Sequence, residues 1–429
     1  MNAPITRNEI PEGVRDRLPR EAARMRRLFA KLEDVFRSWG YREVLTPGFE
    51  YLETVTAGVG SLSKREDLYQ FFDRKGRTLA LRADMTTPIA RVAATKMAGE
   101  PLPLRLSYFA PVFRRREGKA GSASEIWQAG IELIGASGPA ADAEVVAMAC
   151  GALSAAGLEG FKIGLGHVDF VEGIFAAAGI GPEREALLRE AMVGRDLVTF
   201  EKCVMEADLP PDKADLLLAM ATFQGTYAQA WERFRSVGNG QVVRALEQLG
   251  TILSLLEQFG VGNSVSLDLG LSRSLGYYTG VVFEGYAPGV GAPVMGGGRY
   301  DHLLADFGGD APATGLALEM DRLLAALDRQ TPVLSEPGLD AVVACPPGHE
   351  AQAMARARQL RVEGLTVEVD LLGRTGADLE AYARARGARQ VIGPDGTGAA
   401  VAAGGQRVSE AGLFSGGIRR LRVAVNPIH

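Results

Sequence analysis

A chain of 429 residues that is 47% hydrophobic can bury a large core and is long enough for two or three domains. Its net charge of −5 argues against a protein whose main surface is a nucleic-acid footprint, and no apolar run reaches the roughly 18 residues of a membrane helix. The three cysteines, Cys150, Cys203 and Cys345, are widely spaced and odd in number and the four histidines are scattered, which favours reduced thiols over disulfides or metal ligands; with no signal-peptide pattern at the N-terminus, the expected location is cytoplasmic.

In chain order, a polar arm leads into a helix predicted from Pro19 to Trp39, with Met25, Leu28, Leu32 and Phe36 on one apolar stripe and Gly40 as its stop. Tyr41 to Glu50 reads as a strand interrupted by Pro47, which cannot donate to a central ladder and so belongs at an edge or interface. A hairpin is expected from Leu68 to Leu81, turning at Asp73 to Arg77, and it delivers Arg82, Asp84 and Thr86 to a loop before a helix that begins near Pro88. Asp84 and Thr86 are suited either to holding an amino group together or to capping that helix.

Leu104 to Gly135 reads as two strands joined by a charged loop rich in Gly and Ser. On the second strand Trp127, Ala129, Ile131 and Leu133 share one face and Gln128, Gly130 and Glu132 the other. Gln128 and Glu132 then stand about 13 Å apart across a side-chain-free gap at Gly130, a floor for a small ligand carrying an ammonium or imidazole, or simply a half-exposed sheet face. From about Asp169 to Gly262 the pattern is helical, and Leu187, Leu188, Met192 and Leu216 to Leu218 are expected in the core. Strands follow at Ser264 to Leu269 and Tyr277 to Phe283, with Arg273 in the turn between them, where it is either solvated or set to grip a carboxylate. Gly296 to Gly298 read as a tight turn rather than a phosphate cradle, since the P-loop lysine and Rossmann spacing are both absent. Gly315 to Leu323 is a strand running into a helix, a Pro-containing linker spans Gln330 to Pro337, and the remainder alternates strands at Asp340 to Cys345, Val367 to Leu371 and Arg389 to Ile392 with helices at Glu350 to Glu363 and Ala377 to Arg386.

These stretches, in this order, resemble the class II aminoacyl-tRNA synthetases in their histidyl form. Leu104 to Gly135 resembles motif 2, Arg82 to Thr86 (RADMT) the histidine loop, Arg273 to Gly280 (RSLGYYTG) the second histidine motif, Gly296 to Asp301 (GGGRYD) the glycine-rich segment and Gly315 to Leu323 (GLALEMDRL) motif 3. The resemblance implies an α+β fold, a class II synthetase-like antiparallel sheet with flanking helices. It would occupy residues 1–330, with a helical insertion at about 169–262, and be followed at 331–429 by a C-terminal α/β domain like the anticodon-binding domain. It implies a homodimer built through motif 1, here the first helix and Tyr41 to Glu50. It also implies a histidine site formed by Asp84, Thr86, Arg114, Gln128, Glu132, Arg273, Tyr277 and Tyr278: the acids and amide for the ammonium, arginine for the carboxylate, the tyrosines flanking the ring.

Several positions depart from the histidyl pattern. Asp84 stands where glutamate is usual, Gly276 where an aspartate precedes the tyrosines, and Arg116 where a glutamate follows the motif 2 arginine. Ser122 and Ser124 replace loop arginines that hold phosphates, leaving Arg115, Arg116 and Lys119 nearby. Glu319 occupies a motif 3 position where glycine lets the backbone approach the nucleotide, and with Asp321 it would repel a polyphosphate if both face it. The tract after Gly373 lacks the family's lysines, although Arg384, Arg386 and Arg389 could still cluster. These departures narrow the resemblance to the family's non-charging paralogues, the regulatory subunits of ATP phosphoribosyltransferase. That reading implies L-histidine as ligand, a short-form catalytic subunit as partner, a homodimer within a larger hetero-oligomer, and no cofactor, metal, tRNA or catalysis of its own. Two others stay open: an authentic histidyl-tRNA synthetase, supported by the C-terminal domain and Arg273, and a histidine-sensing module with another partner.

Overall fold

Helix α1 (Pro19–Ser38) forms where the apolar stripe predicts it: Pro19 sits in the first turn, where its missing N–H costs nothing, and Met25, Leu28, Leu32 and Phe36 are buried along one face. The computed structural model describes residues 8–57, 67–115, 123–272, 276–330 and 338–401, in two units, Met1–Pro332 and Val333–His429.

After α1 the first unit continues through β1 (Arg42–Glu43), β2 (Phe49–Tyr51), α2 (Leu52–Ala57), the hairpin β3 (Gln70–Phe72) and β4 (Thr78–Leu81), and α3 (Thr86–Thr95). The long pair β5 (Leu104–Phe113) and β6 (Glu125–Ile134), helix α4 (Pro139–Ala156) and β7 (Lys162–His167) come next. The insertion is α5 (Val168–Ala178), α6 (Pro182–Val193), α7 (Leu197–Met205), α8 (Pro211–Ala221), a short β8 (Gln224–Gly225), α9 (Tyr227–Phe234) and α10 (Gly240–Gln258). Strands β9 (Val265–Asp268), β10 (Val281–Tyr286), β11 (Met295–Arg299) and β12 (Ala313–Glu319) complete the sheet, and α11 (Met320–Gln330) closes the unit.

Nine strands form one sheet in the order β1-β5-β6-β12-β11-β10-β7-β9-β8. Its centre is antiparallel, as expected, but β1 pairs with β5 and β9 with β7 in parallel, so the sheet is mixed. Ala129, Ile131 and Leu133 of β6 pack under α1, α4 and the insertion helices in the largest core, while Tyr108, Ala110 and Ile126 join α3 in a second core on the other face. A small sheet, β2-β4-β3, stands beside it.

Several elements differ from the sequence reading. Tyr41 to Glu50 is not one strand: Pro47 lies in the loop between β1, at the edge of the large sheet, and β2, at the edge of the small one. Residues 276–280 are turn and loop, so the strand expected from Tyr277 begins only at Val281. Gly296 to Gly298 form the buried strand β11 rather than a tight turn, and a Cβ at Gly297 or Gly298 would collide with a carbonyl of a paired strand and with the ring of Phe283 or Tyr278. Leu187 is 54% exposed, whereas Leu188 and Met192 enter the core.

Arg299, at the end of β11, meets Asp142 of α4 in a buried pair, with Nε 3.0 Å from Oδ1, and also donates to Asp301 at 3.0 Å. Removing one partner of such a pair strands a buried charge at a cost of roughly 3–5 kcal/mol. Arg299→Met is therefore expected to lose stability of that order in urea unfolding, with much of it recovered by adding Asp142→Asn. A loss below about 1 kcal/mol would show that solvent reaches the pair.

The second unit contains β13 (Ala341–Val343), α12 (Glu350–Val362), β14 (Val367–Val369), α13 (Gly376–Ala385), β15 (Gln390–Ile392) and β16 (Gly398–Ala400), the last not foreseen. The strand order is β14-β13-β15-β16, with the first three parallel. Ala353, Ala357 and Leu360 of α12 share a core with Val343 and Ile392, and Leu379 and Ala383 of α13 share another with Val342, as alternation along β13 requires.

Candidate functional site

The register of the large sheet gathers the site. Gln128 pairs with Glu319, Gly130 with Ala317 and Glu132 with Gly315, and on the other side Tyr108 pairs with Gly130. Directly paired residues point to the same face, so Tyr108, Gln128, Glu132 and Glu319 share one side of the sheet while Ile131 and Leu316 fill the core beneath. A cavity of ≈ 40 Å³ opens on that side, lined by Asp84, Thr86, Arg114, Gln128, Glu132, Tyr277 and Tyr278 together with Tyr108 and Tyr300. Arg273 lies outside the described residues, as do Arg116, Lys119 and Ser122.

The gap foreseen at Gly130 is not open floor. The Tyr108 ring crosses it from β5, and its hydroxyl donates to the carbonyl of Leu316 at 3.4 Å; a Cβ at Gly130 would collide with that ring. Gly315 serves Glu132 in the same way, since a Cβ there would meet the carboxylate. Glycine at these two positions is what lets large side chains lie against the strands.

Glu132 is fully buried between two hydroxyl donors: Thr86 Oγ1 donates to Oε1 at 2.7 Å and the Tyr300 hydroxyl donates to Oε2. Burial nevertheless raises its pKa from an ordinary 4.5 to about 8, with the Thr86 and Tyr300 bonds opposing the rise and Asp84 adding to it. Asp84 is raised for the same first reason, although the Thr87 amide and hydroxyl donate to it at 2.7 and 3.1 Å and Arg114 lowers it. Asp84 thus accepts from the Thr87 amide in the first turn of α3 and also lines the cavity. Arg114 Nε donates to the carbonyl of Ala83 at 2.8 Å, which seats the motif 2 arginine against the Asp84 loop. Tyr277 stands with its ring centroid 4.8 Å from Tyr278 and 5.6 Å from Tyr300, and burial holds the phenols of Tyr108, Tyr277 and Tyr300 well above their ordinary pKa. Two buried acids are thus walled by phenols that burial keeps neutral.

The motif 3 end of the face is internally paired. Glu319 does point to the ligand side, opposite Gln128, but it accepts from Arg322 Nε at 2.9 Å, while Arg322 Nη1 donates to the carbonyl of Pro293 at 2.9 Å. Asp321 accepts from both terminal nitrogens of Arg17, at 2.7 and 2.8 Å, and from Arg15 at 3.0 Å. The joint repulsion of a polyphosphate expected of Glu319 and Asp321 is therefore offset by the arginines that neutralise them, Arg322 for the first and Arg15 and Arg17 for the second, and Arg322, the arginine of the stretch that resembles motif 3, is engaged by its own helix start. Gly13 of the arm accepts from the Ser124 amide at 2.7 Å, which buries Ser124 rather than presenting it to a ligand.

Sequence reasoning missed Tyr108 and Tyr300. Alternation along β5 was a usable signal for the first, since Tyr108 falls on the face of Leu106 and Ala110. Among the described residues no His, Cys, Asp or Glu group could hold a metal, and no helix is long and apolar enough to cross a membrane. Cys150 and Cys345 are buried and Cys203 half-buried, all three as free thiols.

The family model for histidyl-tRNA synthetase matches residues 13–323. The chain is similar to the ATP phosphoribosyltransferase regulatory subunit of Symbiobacterium thermophilum, at 64% identity over 92% of this chain and 98% of the relative. It is also similar to that of Moorella thermoacetica, at 43% identity over 88% and 96%. A solved structure described as an ATP phosphoribosyltransferase regulatory subunit/histidyl-tRNA synthetase from Bacillus halodurans superposes with a TM-score of 0.79 at 32% identity, covering 91% of this chain and 99% of that one.

Proposed function

Because the chain belongs to the histidyl-tRNA synthetase family, and within it to the ATP phosphoribosyltransferase regulatory subunits, we propose that it binds L-histidine in the tyrosine-walled cavity and thereby modulates a short-form catalytic subunit. The observation that carries this reading is the convergence of Asp84, Thr86, Arg114, Gln128, Glu132, Tyr277 and Tyr278 on one cavity. The ammonium meets Asp84, Glu132 and Gln128, the carboxylate meets Arg114 and Arg273, and the tyrosines flank the imidazole, so each ligand charge finds its opposite. At ≈ 40 Å³ the cavity is far smaller than the 300 Å³ or so of ordinary ligand pockets, so the tyrosines move apart as the ligand enters.

Two further observations favour a regulatory role over tRNA charging. The motif 3 arginine is paired with Glu319. In the second unit Arg374, Arg386 and Arg389 are paired with Asp370, Glu368 and Asp340, which neutralises much of the basic face an anticodon needs. The exposed Leu45 and Phe49, on the segment that the family resemblance assigns to subunit contact, suit a homodimer onto which catalytic subunits repeat.

Light scattering tests the assembly. The protein alone is expected to be a dimer without phosphoribosyltransferase activity, and mixing it with a short-form ATP phosphoribosyltransferase catalytic subunit should give a larger complex whose activity responds to histidine. Failure to form any complex at micromolar concentrations overturns the regulatory reading.

A further inference from the structure

Between the cavity and the exposed segment that joins the two sheets runs a set of contacts the ligand reading does not use. Arg82 is 7% exposed, and the acceptors of its guanidinium are oxygens of neighbouring segments rather than a carboxylate: Nε donates to Pro111 O at 2.8 Å, Nη1 to Thr46 O at 3.0 Å and to Pro47 O at 3.3 Å. Its own amide donates to Gly48 O at 3.2 Å. Nine residues on, Arg91 of α3 donates to Glu50 of β2 at 2.6 Å. These two arginines bracket Asp84 and Thr86, so the loop that faces the cavity is pinned on both sides to residues 46–50. Met85 reinforces the link, because it lines both the ligand cavity and a groove of ≈ 400 Å³ that Val44, Leu45 and Thr46 help to wall.

We propose that Arg82 and Arg91 are positioning residues that carry occupancy of the cavity to the segment Val44 to Tyr51, making that segment the output surface of the ligand site. The inference rests on the proposed histidine reading. An ammonium arriving between Asp84 and Glu132 shifts the Asp84 carboxylate and the backbone at Ala83, which Arg114 also holds. Arg82 is the next residue, and its donors tie the Thr46 and Pro47 carbonyls to its own position. A close-packed, hydrogen-bonded junction of this kind changes between discrete arrangements rather than deforming smoothly. The segment it governs carries Leu45 and Phe49, 80% and 51% accessible in the single chain and assigned above to the homodimer contact, so the output is delivered to the second copy of this chain.

Amide hydrogen exchange of the full chain with and without L-histidine, alongside calorimetric titration, is the test. In the wild type, saturating histidine is expected to change exchange of the amides in 44–51 by about five-fold or more, the lower end of ordinary coupling between sites. In Arg82→Lys, which keeps the charge but not the fork of donors, histidine should still bind within about three-fold of wild type while the exchange response falls below about two-fold. A merely structural role would alter exchange equally with and without ligand, so the difference between the two states is the quantity that decides. Unchanged exchange in 44–51 of the wild type with histidine demonstrably bound overturns the inference, as does a full response in a folded Arg82→Lys. Should Arg82→Lys fail to fold, Glu50→Ala, which removes the acceptor of the second tie from outside the cavity, is expected to halve the response or more, and an undiminished one counts against the proposal. Absence of any calorimetric binding in the wild type fails the histidine reading itself, and the inference falls with it.

Discussion

The purified protein is expected to show no histidine-dependent exchange of pyrophosphate into ATP. Adenylate formation needs cations fixed where charge develops on the phosphates, and each preorganised donor removed from such a site costs about 10²–10³ in rate. Here Arg322 is held by Glu319 at 2.9 Å and by Pro293 O, so using it would first require breaking an ion pair that faces the same cleft. Ser124 is turned into the fold against Gly13, and Gly276 offers no carboxylate where the histidyl pattern has one. Losing two or three such contributions together puts the rate below detection. Glu319→Gly is expected to free Arg322 and give measurable binding of ATP in the variant only, still without exchange. Exchange by the wild type at a synthetase-like rate would overturn the assignment of the motif 3 end as closed.

The parts of this site that were legible in the sequence are those set by local periodicity. Period two on β6 puts Gln128 and Glu132 on one face and Ala129, Ile131 and Leu133 on the other, and the 3.6-residue stripe of α1 needs no partner to be recognised. Asp84 and Thr86 were visible as a loop pair before a helix. What could not be read depends on residues far apart in the chain. Asp321 is neutralised by Arg17, 304 positions away, and Gly130 is covered by Tyr108 only because β5 pairs with β6 in one register. A glycine read alone promises space, whereas in a sheet it marks where a neighbour's ring can lie; the same holds at Gly297 and Gly298, expected in a turn and found in a buried strand. The tie from Arg82 to residues 46 and 47 was likewise invisible, since an arginine bonded to backbone carbonyls leaves no complementary acid to find, and Arg91 meets Glu50 only across 41 positions of chain.

Glu132→Gln is expected to weaken histidine binding by about thirty-fold or more. Truncating one partner of a buried charge pair costs 2–5 kcal/mol, and each 1.4 kcal/mol is ten-fold in affinity. The amide keeps the shape and can still accept from Thr86 while donating to the Tyr300 hydroxyl, so the fold should survive the change. The pH dependence separates this from a packing effect. With its pKa raised to about 8 by burial, Glu132 is mostly protonated in the empty protein at pH 7, and an arriving ammonium favours the ionised form. Binding therefore releases up to one proton, and affinity should rise with pH between 7 and 8, by as much as about ten-fold per unit. Stability of the empty protein runs the other way. The folded pKa lies above the unfolded value of 4.5, so the folded state holds the proton more tightly; its contribution is complete below pH 4.5 and is lost as pH rises through about 8. Calorimetry in buffers of different ionisation enthalpy reads the proton, and melting curves from pH 5 to 8 read the stability. Both the proton release and the decline in melting temperature should be smaller in Glu132→Gln, with Asp84, whose pKa burial also raises, supplying what is left. Undiminished proton release by the variant, or wild-type affinity in it, would remove Glu132 from the ligand site and leave Asp84 as the acid that meets the ammonium.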